Sequence, residues 1–186
     1  MDLLDALGAA TEEFGRRLAR VRPDMWATAT PCPEWDVQYL AAHVIGGNRF
    51  AASILGGLSA SEAIDQVMSS PQLGDDPMTA WQTTSTAQTT AFYRPNALSD
   101  HVDHPLGEIT GHHFLELRVY DITLHAWDLA RSICADEELP PALVDVVIAI
   151  VENGPPGMGF GVEALTLAPS NSSPQARLLD LCGRRS

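Results

Sequence analysis

Arg118-Val119-Tyr120-Asp121-Ile122-Thr123-Leu124-His125-Ala126-Trp127-Asp128-Leu129-Ala130 is the stretch whose reading decides the fold. Its apolar positions recur at helical spacing: Leu115, Val119, Ile122, Ala126, Leu129 and Ile133 form one stripe. At 100° per residue, Phe114, Arg118, Asp121, His125 and Asp128 fall within an adjoining arc of about 80°. Leu117 and Leu124 border that arc, so apolar residues lie on both sides of the charged ones. A face of this kind lines a cavity inside a helix bundle better than it meets bulk water. Asp121 and His125 stand at i and i+4, so their side chains share one face. That pair admits two readings, an acid–histidine hydrogen bond or two ligands of one metal ion.

A further candidate ligand lies upstream. Asp36 is a natural N-cap for a helix to about Leu55, with Val37, Leu40, Val44, Ala51 and Leu55 inward. Leu40, His43, Gly47, Phe50 and Ile54 run beside that stripe. Gly46 and Gly47 are costly inside a helix, about 1 kcal/mol each relative to alanine. They signal either close helix packing or room for a ligand next to His43, and with Phe50 they are the candidate cofactor-binding residues.

Around these two helices the chain reads as all-α. A first helix spans about 2–21, with Leu3, Leu7, Ala10 and Phe14 inward. Thr28 to Trp35 is a proline-stiffened connector, and Cys32 within it is expected to be a small buried residue with no base nearby. Ser59-Ala60-Ser61-Glu62 is a capping box before a short helix through about Met68. Asp76-Pro77 opens a third bundle helix to about Tyr93. Residues 94–110 are irregular, with a short hairpin expected around Pro105-Leu106-Gly107-Glu108. The opening stretch belongs to a helix over about 111–134, followed by a helix from Pro141 to Glu152. Asn153 to Gly161 is a glycine- and proline-rich loop that could border a pocket, Val162 to Ala168 is extended or irregular, and a terminal helix covers Gln175 to Leu181. His101, His104, His112 and His113 lack the paired spacing of a metal site. The whole, 1–186, reads as a single domain.

The net charge of −13 argues against nucleic-acid and anionic-membrane partners. The N-terminus lacks the basic start and apolar run of a signal peptide, and Cys32, Cys134 and Cys182 suit no disulfide framework, so a reducing cytoplasm is the expected home. No phosphate-binding glycine loop, nucleophile elbow or pair of Glu-x-x-His ligands occurs. A small molecule is the expected partner, and a homodimer is compatible with the composition.

Pro31-Cys32-Pro33-Glu34-Trp35-Asp36-Val37, then Leu40-x-x-His43-Val44-x-Gly46-Gly47-Asn48, then Asp121-x-x-x-His125-x-Trp127-Asp128-Leu129-Ala130 resemble an actinobacterial family of the DinB-like superfamily. It stands beside the metal-binding domain of mycothiol-dependent maleylpyruvate isomerase. Arg177-Leu178-Leu179-Asp180-Leu181-Cys182-Gly183-Arg184 resembles its C-terminal signature. The resemblance implies a four-helix bundle with a divalent metal on His43, Asp121 and His125. Two imidazoles, one carboxylate and an open position are the pattern of catalytic zinc, and nickel or iron suit the same ligands. Asp121 stands where the isomerase has Glu, and the isomerase's additional C-terminal domain has no counterpart in a chain of this length, so maleylpyruvate is not the expected substrate.

The resemblance further implies an S-transferase or isomerase that uses mycothiol; Asp128 and Arg118, which share the helical arc of Asp121 and His125, are the candidate catalytic residues. One of these two would serve the ligand environment or the substrate, and Asp128 is the candidate for proton transfer. The alternatives are a non-catalytic metal- or small-molecule-binding bundle, a metal-free cyclase and a partner-binding module.

Overall fold

The computed structural model describes residues 1–154, 165 and 172–185. Four helices make the bundle: α1 (Leu3–Leu18), α2 (Val37–Leu55), α4 (Pro77–Phe92) and α5 (Gly111–Ser132). α1 packs along α5 and α2 along α4, and α2–α5 and α1–α4 contacts close the ring. The short α3 (Ala60–Met68) lies against α2, and the antiparallel hairpin β1 (His101–His104) and β2 (Gly107–Thr110) leads into α5. α6 (Pro141–Asn153) covers α5 and α1, and α7 (Pro174–Leu181) packs on α6.

Local chemistry sets the helix starts. Asp2, Asp36, Ser59, Asp76, Thr110 and Ser173 each accept a backbone N–H of the first turn, satisfying donors that the helix itself leaves open. α1 stops at Leu18 rather than near Val21, because Arg20 N–H and Val21 N–H bond back only three residues, to Arg17 and Leu18, and tighten the chain into a turn. The glycine-rich loop expected to border a pocket lies, from residue 155 on, outside the described residues, as does most of 162–168.

α5 is the axis of the molecule. Every residue from Leu117 to Ala130 is buried. Its apolar residues meet Phe14, Leu40, Ile45 and Phe92 in one continuous core. Arg118, Asp121, His125 and Asp128 are buried as well, and a buried charge without a partner is very costly. Where those charges find partners defines the site.

Candidate metal centre

α2 delivers His43 to the axis, and α5 delivers Asp121 and His125 one turn apart. Asp121 Oδ1 lies 3.2 Å from His43 Nε2 and 3.3 Å from His125 Nε2. All three potential ligand atoms lie within 4.8 Å of one another. A tetrahedral ion with bonds of about 2.0–2.1 Å needs ligand atoms about 3.3 Å apart, so this donor set fits a zinc-like ion with little rearrangement. The side chain of His43 is 38 % exposed, whereas those of Asp121 and His125 are 4 % and 7 % exposed, so approach is from the His43 side.

Each of the two buried candidate ligands is held from behind. Arg118 Nη1 donates to Asp121 Oδ2 at 2.7 Å, leaving Oδ1 for the imidazoles. The same guanidinium donates to Gln88 Oε1 at 2.8 Å, Asn48 Oδ1 at 3.0 Å and Val44 O at 3.4 Å. On the far side of His125, Nδ1 lies 2.9 Å from Asp128 Oδ2. Asp128 is in turn gripped by Arg184, Nη2 to Oδ2 at 3.0 Å and Nε to Oδ1 at 3.3 Å. An imidazole whose Nδ1–H is taken by a carboxylate presents the Nε2 lone pair, the arrangement found behind metal-bound histidines. Trp35 closes the end of the site, its ring 4.8 Å from His43 and 5.5 Å from His125. The connector that carries Trp35 is pinned by Thr30 N–H to Trp35 O at 2.9 Å, and Glu34 takes a left-handed φ of 66°, unusual for a residue with a Cβ.

Burial would push the Asp121 carboxyl up, but the positive charges of His43, His125 and Arg118 hold it well below the usual carboxylate range. Burial would pull His125 down, but Asp121, together with hydrogen bonds to Asp128 and Cys32, lifts it well above the ordinary histidine value. Asp128 is likewise lowered, His125 and Arg184 outweighing its burial.

A cavity of about 660 Å³ opens from His43 and Asp121 between α2, α3, the hairpin and α5. Gly46, Gly47 and Phe50 lie on its wall, as do Phe114, Leu117 and Arg118. Asp128 is fully buried behind His125 with both oxygens engaged, and it is not among the described residues that line the cavity. The two candidate catalytic residues, Arg118 and Asp128, therefore both contact a candidate ligand, Arg118 at Asp121 and Asp128 at His125.

At Gly46 and Gly47 the packing alternative accounts for the space, and at Cys32 an expectation changes. The space expected beside Gly47 holds the Arg118 guanidinium, whose Cζ would lie 2.8 Å from a Cβ at that position; the space at Gly46 is filled by Gln72 and Val67. Gly47 makes room for the guanidinium that holds Asp121. Cys32, expected to have no base nearby, has its Sγ 3.8 Å from Arg184 Nη2 and 3.9 Å from His125 Nδ1, and donates to Asp128 Oδ2 at 3.3 Å. Arg184 comes from the tail, too far along the chain for local spacing to indicate; its place in the C-terminal signature is the one signal that marks it. Cys32, His125 and Asp128 form a second cluster of potential ligand atoms. The guanidinium of Arg184 already occupies both oxygens of Asp128, and its charge opposes a second cation there. The histidines near the hairpin gather no such cluster among the described residues; His113 and His112 instead face Glu116 at 2.9 and 3.6 Å.

Comparison with known proteins identifies the family and the fold. Residues 7–130 match the family described as mycothiol maleylpyruvate isomerase N-terminal domain. Uncharacterized proteins of Mycobacterium tuberculosis strains CDC 1551 / Oshkosh and ATCC 25618 / H37Rv are each 35 % identical over 147 residues, covering 77 % of this chain and 74 % of the relative. The crystal structure of the mycothiol-dependent maleylpyruvate isomerase superposes with a TM-score of 0.61 at 18 % identity, over 81 % of this chain and 68 % of that one. A histidine-to-alanine mutant of that enzyme gives 0.62 at 16 % identity over the same shares. Among the described residues no helix is long and apolar enough to cross a membrane.

Proposed function

The chain belongs to the mycothiol maleylpyruvate isomerase N-terminal domain family, and from that premise we propose that it is a divalent-metal enzyme that uses mycothiol on a small electrophile, as a transferase or isomerase. The metal would be held by His43, Asp121 and His125. The observation that carries this reading is the convergence of two imidazole Nε2 atoms on one carboxylate oxygen, at 3.2 and 3.3 Å, on the wall of a ligand-sized cavity.

A divalent ion held there supplies Lewis acidity, which lowers the pKa of a thiol brought to it. The chain's own residues do the rest by positioning. Arg118 fixes Asp121 through Oδ2, so that Oδ1 faces the two imidazoles. Asp128, itself fixed by Arg184, holds His125 in the tautomer that offers Nε2. Trp35 packs on both imidazoles and excludes water from that end. No protein nucleophile faces the cavity among its described lining residues other than the Ser70 and Tyr39 hydroxyls, and neither has a base within hydrogen-bonding distance among the described residues. A nucleophile supplied by a cofactor thiol agrees with that lining. The chain is proposed to act as a single domain.

The test is a thiol-consumption assay with mycothiol and 1-chloro-2,4-dinitrobenzene on zinc-loaded protein. Turnover that disappears on chelation and in Asp121→Ala, and returns with added zinc in the parent protein only, supports the reading. Turnover equal to the parent in Asp121→Ala, or undiminished by chelation, overturns it.

A further inference from the structure

The cavity wall is chemically one-sided. Phe50, Phe114, Leu117 and Val67 form its inner surface, and Tyr39, Ile64, Met68 and Leu106 form part of its lining while remaining exposed. These last four are a majority of the large apolar side chains exposed among the described residues; the others are Met1, Leu58 and Tyr93. Exposed apolar residues gathered at one opening mark a binding surface rather than random scatter.

The polar side of the cavity is equally selective. The one arginine or lysine among the described lining residues is Arg118, and Asp121, Gln88, Asn48 and Val44 O take four of its five N–H donors. Its charge is already paired with Asp121, so an incoming carboxylate would have to share the guanidinium with that buried partner. His104 lines the cavity with its ring 5.1 Å from Phe114 and 5.7 Å from Phe50. Its Nδ1 accepts Leu106 N–H at 3.2 Å, so the neutral ring carries its hydrogen on Nε2. Burial, then the nearby His113 and Arg118, push His104 below the ordinary histidine range and keep it uncharged. A metal centre at His43 could meet one anionic group, and the other cation on the wall, Arg118, is already paired with Asp121.

We infer that this cavity selects an uncharged, largely apolar substrate, aromatic or branched aliphatic, bearing a single acceptor oxygen that His104 Nε2–H can meet, and that it rejects dicarboxylates. The inference deepens the thiol-transfer reading by naming the class of electrophile, but the selectivity belongs to the cavity and is measured by binding alone.

The experiment uses the zinc-loaded full chain and the uncharged fluorophore N-phenyl-1-naphthylamine, displaced by 2-acetylnaphthalene, naphthalene or naphthalene-2,6-dicarboxylate. The expected result is that 2-acetylnaphthalene competes at least about tenfold better than the dicarboxylate, since at most one of its carboxylates can meet the metal and the other would be desolvated without a free cation. His104→Phe keeps a flat ring and removes the donor, and should erase the advantage of 2-acetylnaphthalene over naphthalene. Ile64→Glu with Met68→Glu, at positions 42 % and 80 % exposed and so outside the core, should weaken the fluorophore about tenfold. A dicarboxylate that competes as well as the ketone, or fluorophore binding unchanged in the double variant, overturns the inference. Binding selectivity as expected without thiol consumption would overturn the enzymatic reading and leave this one standing; thiol consumption with a preference for dicarboxylates would do the reverse.

Discussion

Gly47→Ala is the substitution whose effect should change sign with one other residue. Gly47 sits inside α2, where alanine is normally the better helix former by about 0.5–1 kcal/mol. A Cβ there would lie 2.8 Å from Arg118 Cζ. A free arginine would swing away at little cost. This one is pinned by four acceptors, so displacing it sacrifices at least one charged hydrogen bond, about 1.5–3 kcal/mol. The net expectation is destabilisation by about 1–2 kcal/mol. Arg118→Met alone removes one partner of a buried ion pair and should cost about 3–5 kcal/mol. In the Arg118→Met background the clash is gone, and Gly47→Ala should stabilise by about 0.5–1 kcal/mol. The assay is a double-mutant cycle by urea unfolding of chelator-treated protein, so that bound metal does not mask the difference. Effects of Gly47→Ala that agree within about 0.5 kcal/mol in the two backgrounds would refute the claim that this glycine exists to seat the guanidinium.

Other consequences follow from the electrostatics of the same cluster. The pKa of His125 is raised on folding, so in metal-free protein its contribution is complete below about pH 6.5 and is lost as pH rises through the raised folded value. Metal needs the neutral imidazole, so the thermal stabilisation produced by added zinc should grow over that same interval; a zinc increment that is flat or falls with rising pH would contradict the assignment of His125. Asp121 is lowered, so its contribution is present above about pH 3.9 and should vanish as pH falls below it, seen as an acid unfolding limb that Asp121→Asn removes. Asp128→Asn keeps the shape behind His125 but removes the charge, and should weaken zinc binding about 10–100-fold by competition with a chelating dye while leaving the ligand set intact. Unchanged affinity would mean that Asp128 serves Arg184 and the tail rather than the metal.

Much of this architecture is legible in the sequence because it is periodic or local. The 3.6-residue pattern of α5 places Asp121 and His125 on one face, and caps such as Asp36, Ser59 and Asp76 announce helix starts by chemistry that involves only their next few residues. The meeting of His43 with that pair is legible from the family pattern, and the hairpin before α5 from its turn residues. What is not legible depends on packing between distant segments. Arg184 reaches Asp128 from 56 positions away and Cys32 reaches it from 96, through contacts that no local rule encodes. The glycine pair shows the limit most clearly: spacing reveals that α2 leaves room beside His43, but whether a ligand or the Arg118 side chain fills that room is decided by a helix 70 residues later.

The central claim is that one divalent ion sits on His43, Asp121 and His125, and zinc-edge X-ray absorption of the zinc-loaded protein, purified without a histidine tag, tests it most directly. The account predicts one equivalent of zinc with only nitrogen and oxygen neighbours at about 2.0–2.1 Å, and loss of that signal in a His43→Ala, His125→Ala double variant. A sulfur neighbour at about 2.3 Å that vanishes in Cys32→Ser would place the ion instead on Cys32, His125 and Asp128, and would contradict the account, as would full zinc occupancy in the double variant.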